Sequence, residues 1–384
     1  MSSSNNSNNE KQDHRRGYGT PDAAGGRCKQ LPCRPSRRGV TARLRAFVAA
    51  TCLLSVVAAA KADAGLLSDI DYRVGNGLHV PGLGLTLGGY ATATHESLQG
   101  LPARTALDNL SLSVWWEGSS HWKVFSEFNM ENGLSSRSAE ATDEKQYLAL
   151  ERFYVDYAAN ESTTVRVGKF LTPIGRWNLL HATPLVWTTS RPLVTTLAFP
   201  TNVTGLMVSG SLSAADTPVD YAIYGSVGSE VRPNPALNTF RRAIGTHVTV
   251  SVATGVQLGF SYVSFNQQKT AGEHDQLFGI DFLWSGGGYE LTAEAVHKST
   301  NQSSGETERG AFVQLAAPLS AELHAVGRYE VYHHAQQGPA TRLWVTGLSL
   351  RLTPAIVLKA EWLNARHNDT GPPQGFLASI SVLF

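Results

Sequence analysis

Gly375-Phe-Leu-Ala-Ser-Ile-Ser-Val-Leu-Phe384 closes the chain. Phe376, Ala378, Ile380, Val382 and Phe384 alternate with Leu377, Ser379, Ser381 and Leu383. Successive side chains of a strand point to opposite faces, so the first set makes one apolar face with an aromatic end. A chain ending inside a strand needs that strand paired at once. An open terminal strand would be a sticky edge.

The same alternation recurs upstream in segments of about ten residues, the length of a membrane-crossing strand. Leu110, Leu112, Val114 and Trp116 form one such set. Phe278, Ile280, Phe282 and Trp284 oppose Asp281. Leu291, Ala293 and Ala295 oppose Glu290, Thr292 and Glu294, and Ile356, Leu358, Ala360 and Trp362 oppose Lys359 and Glu361. The full series gives about sixteen strands, apolar on one face and polar on the other, the signature of a transmembrane barrel.

The connections alternate in length. Short ones such as Ala253-Thr254-Gly255 and Pro318-Leu319-Ser320 carry Gly, Pro and Ser, as tight turns do. Longer polar ones lie between them: 96–104, 131–145, 171–202, 228–241, 266–273, 299–308, 333–340 and 365–373. A barrel with both termini at one end has short turns there and long loops at the other. The predicted fold is therefore all-β, a transmembrane antiparallel barrel of about 16 strands with an inward-folded constriction loop. Trp115, Trp116, Trp122, Trp284, Trp344 and Trp362 fall near strand ends, where interfacial girdles are expected.

Composition agrees. The 384 residues are 16% charged, below the roughly 25% usual for soluble domains. Residues 1–64 form a basic leader with an apolar run from Ala46 to Ala60, and Ala60-Lys61-Ala62 and Ala62-Asp63-Ala64 both fit the cleavage site of a removable signal peptide, so cleavage is expected after Ala62 or Ala64. All three cysteines, Cys28, Cys33 and Cys52, lie there. The leader has 11 Lys and Arg against 4 Asp and Glu, leaving 21 basic and 27 acidic residues in 65–384. That acidic balance argues against nucleic-acid binding. The pattern gives no account of residues 66–82.

The connection 171–202 is the outlier. It is far longer than ordinary loops, which points to function, and it is apolar, with Ile174, Trp177, Leu179, Leu180, Trp187, Leu193 and Phe199. Such a segment is expected to fold into the lumen and narrow it. From Ser162 to Ala215 there is no Asp or Glu. Arg166, Lys169, Arg176, His181 and Arg191 are the candidate pore-constriction residues. Confined cations of this kind favour anions.

The stretch Arg166-Val-Gly-Lys-Phe-Leu-Thr-Pro-Ile-Gly-Arg-Trp-Asn178 resembles the phosphate-selective porin superfamily, in which a strand ending in Gly-x-Phe enters a constriction loop containing Pro and Gly. The closing strand resembles that of bacterial outer-membrane barrels, whose terminal aromatic, here Phe384, is the insertion signal read by the barrel-insertion machinery. The resemblance implies a homotrimeric sixteen-stranded channel in the outer membrane of a Gram-negative-type cell, lodged in lipid and passing small hydrophilic or anionic solutes. The chain departs from that family in lacking a dense ladder of Arg and Lys along its strands, so general porin function is better supported than phosphate specificity. No cofactor or metal is implied. The competing classes are a barrel with a plugged lumen and a rim enzyme of protease or lipase type. His297, His324, His333 and His334, near Glu294 and Glu330, are the candidates for the latter. No G-x-S-x-G or metal-ligand spacing accompanies them, so no enzyme activity is expected.

Overall fold

The computed structural model describes residues 70–118, 121–137, 147–214, 217–233, 237–270, 273–301, 307–334, 338–367 and 371–384. The leader 1–64, with its three cysteines, lies outside the described residues.

Sixteen long strands close into one antiparallel barrel. They are β3 (Leu85–Leu98), β4 (Arg104–Glu117), β5 (Trp122–Arg137), β6 (Tyr147–Asn160), β7 (Thr163–Leu171), β8 (Asn202–Ala214), β9 (Thr217–Val227) and β10 (Phe240–Ala253). Then follow β11 (Val256–Gln267), β12 (Asp275–Gly286), β13 (Tyr289–Thr300), β14 (Thr307–Pro318), β15 (Leu323–His333), β16 (Thr341–Thr353), β17 (Ile356–Arg366) and β18 (Gly375–Leu383). Each pairs with its sequence neighbours, and β18 pairs with β3 from Gly375 opposite Leu98 to Leu383 opposite Tyr90. Phe384 completes the seam: its N–H donates to the Gly89 carbonyl at 3.0 Å and its carbonyl accepts from Gly89 at 2.9 Å. A strand of about 12 residues is about 40 Å long and, tilted by about 40°, crosses a hydrocarbon layer.

The closing row of β3 continues past Phe384. Residues 70–84, the stretch without a sequence pattern, form a small hairpin of β1 (Asp71–Arg73) and β2 (Gly77–Val80), followed by a 3-10 turn, Pro81–Leu83. β2 pairs with Leu85 to Leu87, immediately beyond the residues that β18 occupies. The strand is too short for alternation to be legible.

Alternation sets the two faces. Leu112, Leu206, Ile223, Ile244, Phe260, Phe278, Ile280, Leu348 and Ile380 are exposed on the outside. Ser111, Glu127, His247, Asp281, Glu294, Glu330, Glu361 and Ser381 are buried on the inside. Buried polar side chains inside and exposed apolar ones outside invert the soluble pattern, as lipid demands. Five of the six tryptophans follow the outward set. Trp115, one residue before Trp116, turns inward and meets the Phe125 ring at 4.9 Å.

The inner face is not polar throughout. Towards the long-loop end, Val263, Phe265, Leu277, Val296, Phe312, Leu343, Val345 and Leu363 are inward and buried. They receive the apolar side of the long connection.

Candidate functional site: the inward loop and the passage beside it

The connection between β7 and β8 folds into the lumen. Its neck is closed by Thr172, whose N–H donates to the Thr201 carbonyl and whose hydroxyl donates to the Pro200 carbonyl. The Asn178 amide ties off the Thr172 and Thr201 carbonyls at 2.9 and 3.0 Å. Within it lie α1 (Trp177–Leu180), a 3-10 turn at Thr183–Leu185 and α2 (Leu193–Leu197), which starts after Pro192. Phe170, Ile174, Trp177, Val194 and Phe199 are buried and pack in one cluster with the apolar inner wall. Each such side chain stabilises the inward position by roughly 1.5–3 kcal/mol.

So short a set of helices leaves many backbone N–H groups without partners, and the barrel wall supplies carboxylates for them. Glu294 on β13 accepts from Arg176 N at 2.8 Å and Trp177 N at 2.6 Å. Glu330 on β15 accepts from Leu193 N at 2.6 Å. Glu361 on β17 accepts from Thr189 N at 3.1 Å and Ser190 N at 2.7 Å. Glu290 takes the Trp187 indole N–H at 2.7 Å. Arg328 balances Glu330 at 2.7 Å and donates to Thr188 Oγ1 and the Ser190 carbonyl. Lys359 donates to the carbonyls of Thr183 and Thr188. Gly175 (φ 62°) passes so close to Glu294 that a Cβ there would collide with the carboxylate.

The five candidate residues part company. Arg166 points inward: its strand partner Met207 is inward, and Val167 beside it is exposed outside. It is held by Asp156 at 2.7 and 2.9 Å and lies over the Tyr154 ring at 3.6 Å. Lys169 does not join it. It pairs with Phe153, which is exposed on the outer face, and its ammonium is buried against Glu230 at 2.6 Å under the β9–β10 connection. Gly168 (φ 138°) lies between the two, in unbroken register with both neighbouring strands. Arg176 donates to Gln257 Oε1 at 2.6 Å and stands 3.8 Å from Asp281. Arg191 lies over the Trp177 ring at 5.0 Å and reaches Asn178 at 3.4 Å, inside the loop. His181 Nε2 is 3.2 Å from Glu151, but burial and then the Arg191 guanidinium push its imidazole down to about 3, so it is neutral near pH 7.

One cation on the cavity wall was missed. Arg152 on β6 sits beside Arg166, bonded to Glu127 at 2.6 Å and stacked on Phe125 at 4.6 Å. Its signal was the inward set Arg152, Tyr154, Asp156, obscured because a bulge opposite Glu127 and Phe128 shifts the register after Leu150.

Arg152 and Arg166 line a cavity of about 350 Å³ between the wall and the loop. Met207, Asp220, His247 and Thr249 continue the wall, and Leu171, Pro173 and Leu179 form the loop side. His247 is held by Ser261 at 2.8 Å and Thr249 at 3.0 Å. A second cavity, about 530 Å³, opens along the same strands towards the end that holds the short turns, lined by Thr217, Ser251, Gln257 and Ser285. The histidines considered for catalysis are scattered. His297 is exposed, His324 stacks on Trp187 at 4.7 Å, and His334 is 3.4 Å from Glu308.

Solved structures share this architecture. Salmonella typhi OmpF, in a complex with daunomycin, superposes with a TM-score of 0.57 at 11% identity, covering 82% of this chain and all of that one (100%). The fold is that of outer-membrane porins. The anion-selective porin of Comamonas acidovorans gives 0.52 at 11% identity over 78% of this chain and 99% of that one. The DcaP channel of Acinetobacter baumannii gives 0.54 at 11% over 78% and 97%. An uncharacterized protein of Aquifex aeolicus is 23% identical over 313 residues, 67% of this chain and 71% of its own length. No family model matches.

Proposed function

We propose that the protein is an outer-membrane porin, a passive channel for small hydrophilic solutes with a preference for anions. The observation that carries the reading is the cavity between the inward loop and β6–β10, with the guanidinium groups of Arg152 and Arg166 on its wall. The carboxylates beside them sit deeper: the Glu127 side chain is 2% exposed against 23% for Arg152. Asp156 is 15% exposed against 25% for Arg166. At these two pairs a solute meets the cation before its carboxylate, while Asp220 is exposed on the same cavity and tempers the preference. In a confined passage such charges raise the local anion concentration. The Comamonas neighbour is an anion-selective porin, which supports the same preference.

Solutes cross by diffusion, with no covalent step. The expected assembly is a homotrimer, the state of one solved Vibrio cholerae neighbour, the outer-membrane protein OmpT. Phe384, on the seam, is the expected insertion signal. Phosphate specificity is not part of the proposal, because the cavity wall carries two adjacent arginines rather than a ladder, and Arg328 and Lys359 elsewhere on the inner wall are bonded to the loop. The test is conductance of the purified barrel in a planar bilayer. Stepwise ohmic channels that admit small solutes and exclude large ones support a porin. A barrel that inserts and never conducts is a plugged one.

A further inference from the structure

The two walls of the passage differ in kind. On one side stand Arg152 and Arg166, and on the other Leu171, Pro173 and Leu179, with Met207 between. Leu179 is 44% exposed, as its loop neighbours Leu180 (42%) and Leu185 (51%) also are, and it is the one of the three that lines this cavity. A water-filled eyelet for inorganic ions gains nothing from an apolar wall. Both arginines have one edge fixed by a carboxylate through Nε and one face laid on an aromatic ring. Among the described residues, the remaining terminal nitrogens of Arg152 have no protein partner, nor does Nη1 of Arg166. A guanidinium edge presented this way matches a carboxylate, which it can bond in the plane. Asp220, exposed on the same cavity, repels a second negative charge.

The geometry points to a subsite for organic monocarboxylates with an apolar body, the carboxylate on the Arg152–Arg166 edge and the ring or alkyl part against Leu179, Pro173 and Met207. This rests on the porin reading and names the solute class for it. The cavity of about 350 Å³ is within the range of small-molecule sites and has room for a one-ring acid.

The experiment measures block of chloride current through the purified barrel by sodium benzoate, sodium acetate and sodium phosphate. Benzoate is expected to block at a concentration lower than acetate or phosphate by at least about threefold, the scale of one apolar contact. Leu179→Asn and, separately, Met207→Gln should each remove most of that advantage, and Arg166→Gln should weaken block by all three anions. Leu179 is half-exposed, so its variant is not expected to disturb folding. The wild-type comparison decides without any variant. Equal block by benzoate and acetate, or stronger block by phosphate, overturns the subsite while leaving the porin reading intact. Absence of chloride current overturns both.

Discussion

Arg176 meets Glu294 through its backbone, not its charge: the loop N–H donates to the β13 carboxylate at 2.8 Å across 118 residues of sequence. The same carboxylate oxygen takes Trp177 N at 2.6 Å. Glu330 and Glu361 repeat the arrangement on alternate strands. A buried N–H that loses its acceptor costs about 1–3 kcal/mol. The acidic inner wall thus serves to hold the loop, which explains how an acidic barrel can still present cations to its passage.

Glu294→Ala should free two N–H groups and loosen the loop by about 2–4 kcal/mol. Hydrogen exchange at Arg176 and Trp177 should accelerate, and single-channel current should become noisy. Glu294→Gln keeps an acceptor and should show a milder form of both. Unchanged exchange in the alanine variant would refute the anchoring role.

Removing one guanidinium from the passage should shift selectivity. Opposite charges in contact attract by about 1 kcal/mol in water, so Arg152→Gln or Arg166→Gln should lower the chloride-to-potassium permeability ratio by up to about fivefold. Each also bares a carboxylate, Glu127 or Asp156, which adds to the effect. Ion-gradient reversal potentials measure this.

Lys169 should behave differently. It lies outside the lumen, paired with Glu230, whose carboxyl burial pushes up and Lys169 pulls back. Lys169→Met should leave selectivity unchanged. It strands a buried carboxylate, at a cost of about 3 kcal/mol, and should expose the β9–β10 connection to proteolysis.

Acid should loosen the loop through His181. Its imidazole is held at about 3 in the fold against about 6.5 in an unfolded chain. A depressed histidine contributes stability that is complete above the unfolded value and is lost as pH falls from about 6.5 towards 3. Arg191 and Arg152 oppose its protonation, and Glu127 favours it. The neutral substitution His181→Gln should flatten loop exchange rates across that window, whereas the wild type should open steadily.

The barrel was legible because lipid enforces a strict period of two: the outward sets of β12, β13 and β17 and the closing strand stand as their alternation predicts. The loop's inward course was legible from Ile174, Trp177 and Phe199, too apolar for an exposed connection. Its contacts were not, because they join 172–201 to Glu294, Glu330 and Glu361, more than 90 residues away, with no local trace. Counting charges across Ser162 to Ala215 placed Lys169 with Arg166, but the two face opposite sides of β7. The same count passed over Arg152, because Arg152 lies before that window, between the acidic Glu151 and Asp156, and a bulge blurs the face it belongs to.

The most direct measurement is the reversal potential of the purified barrel in a planar bilayer under a KCl gradient. An anion-selective potential that declines in Arg152→Gln and Arg166→Gln is the predicted result. A cation-selective potential, unchanged by either substitution, would contradict it.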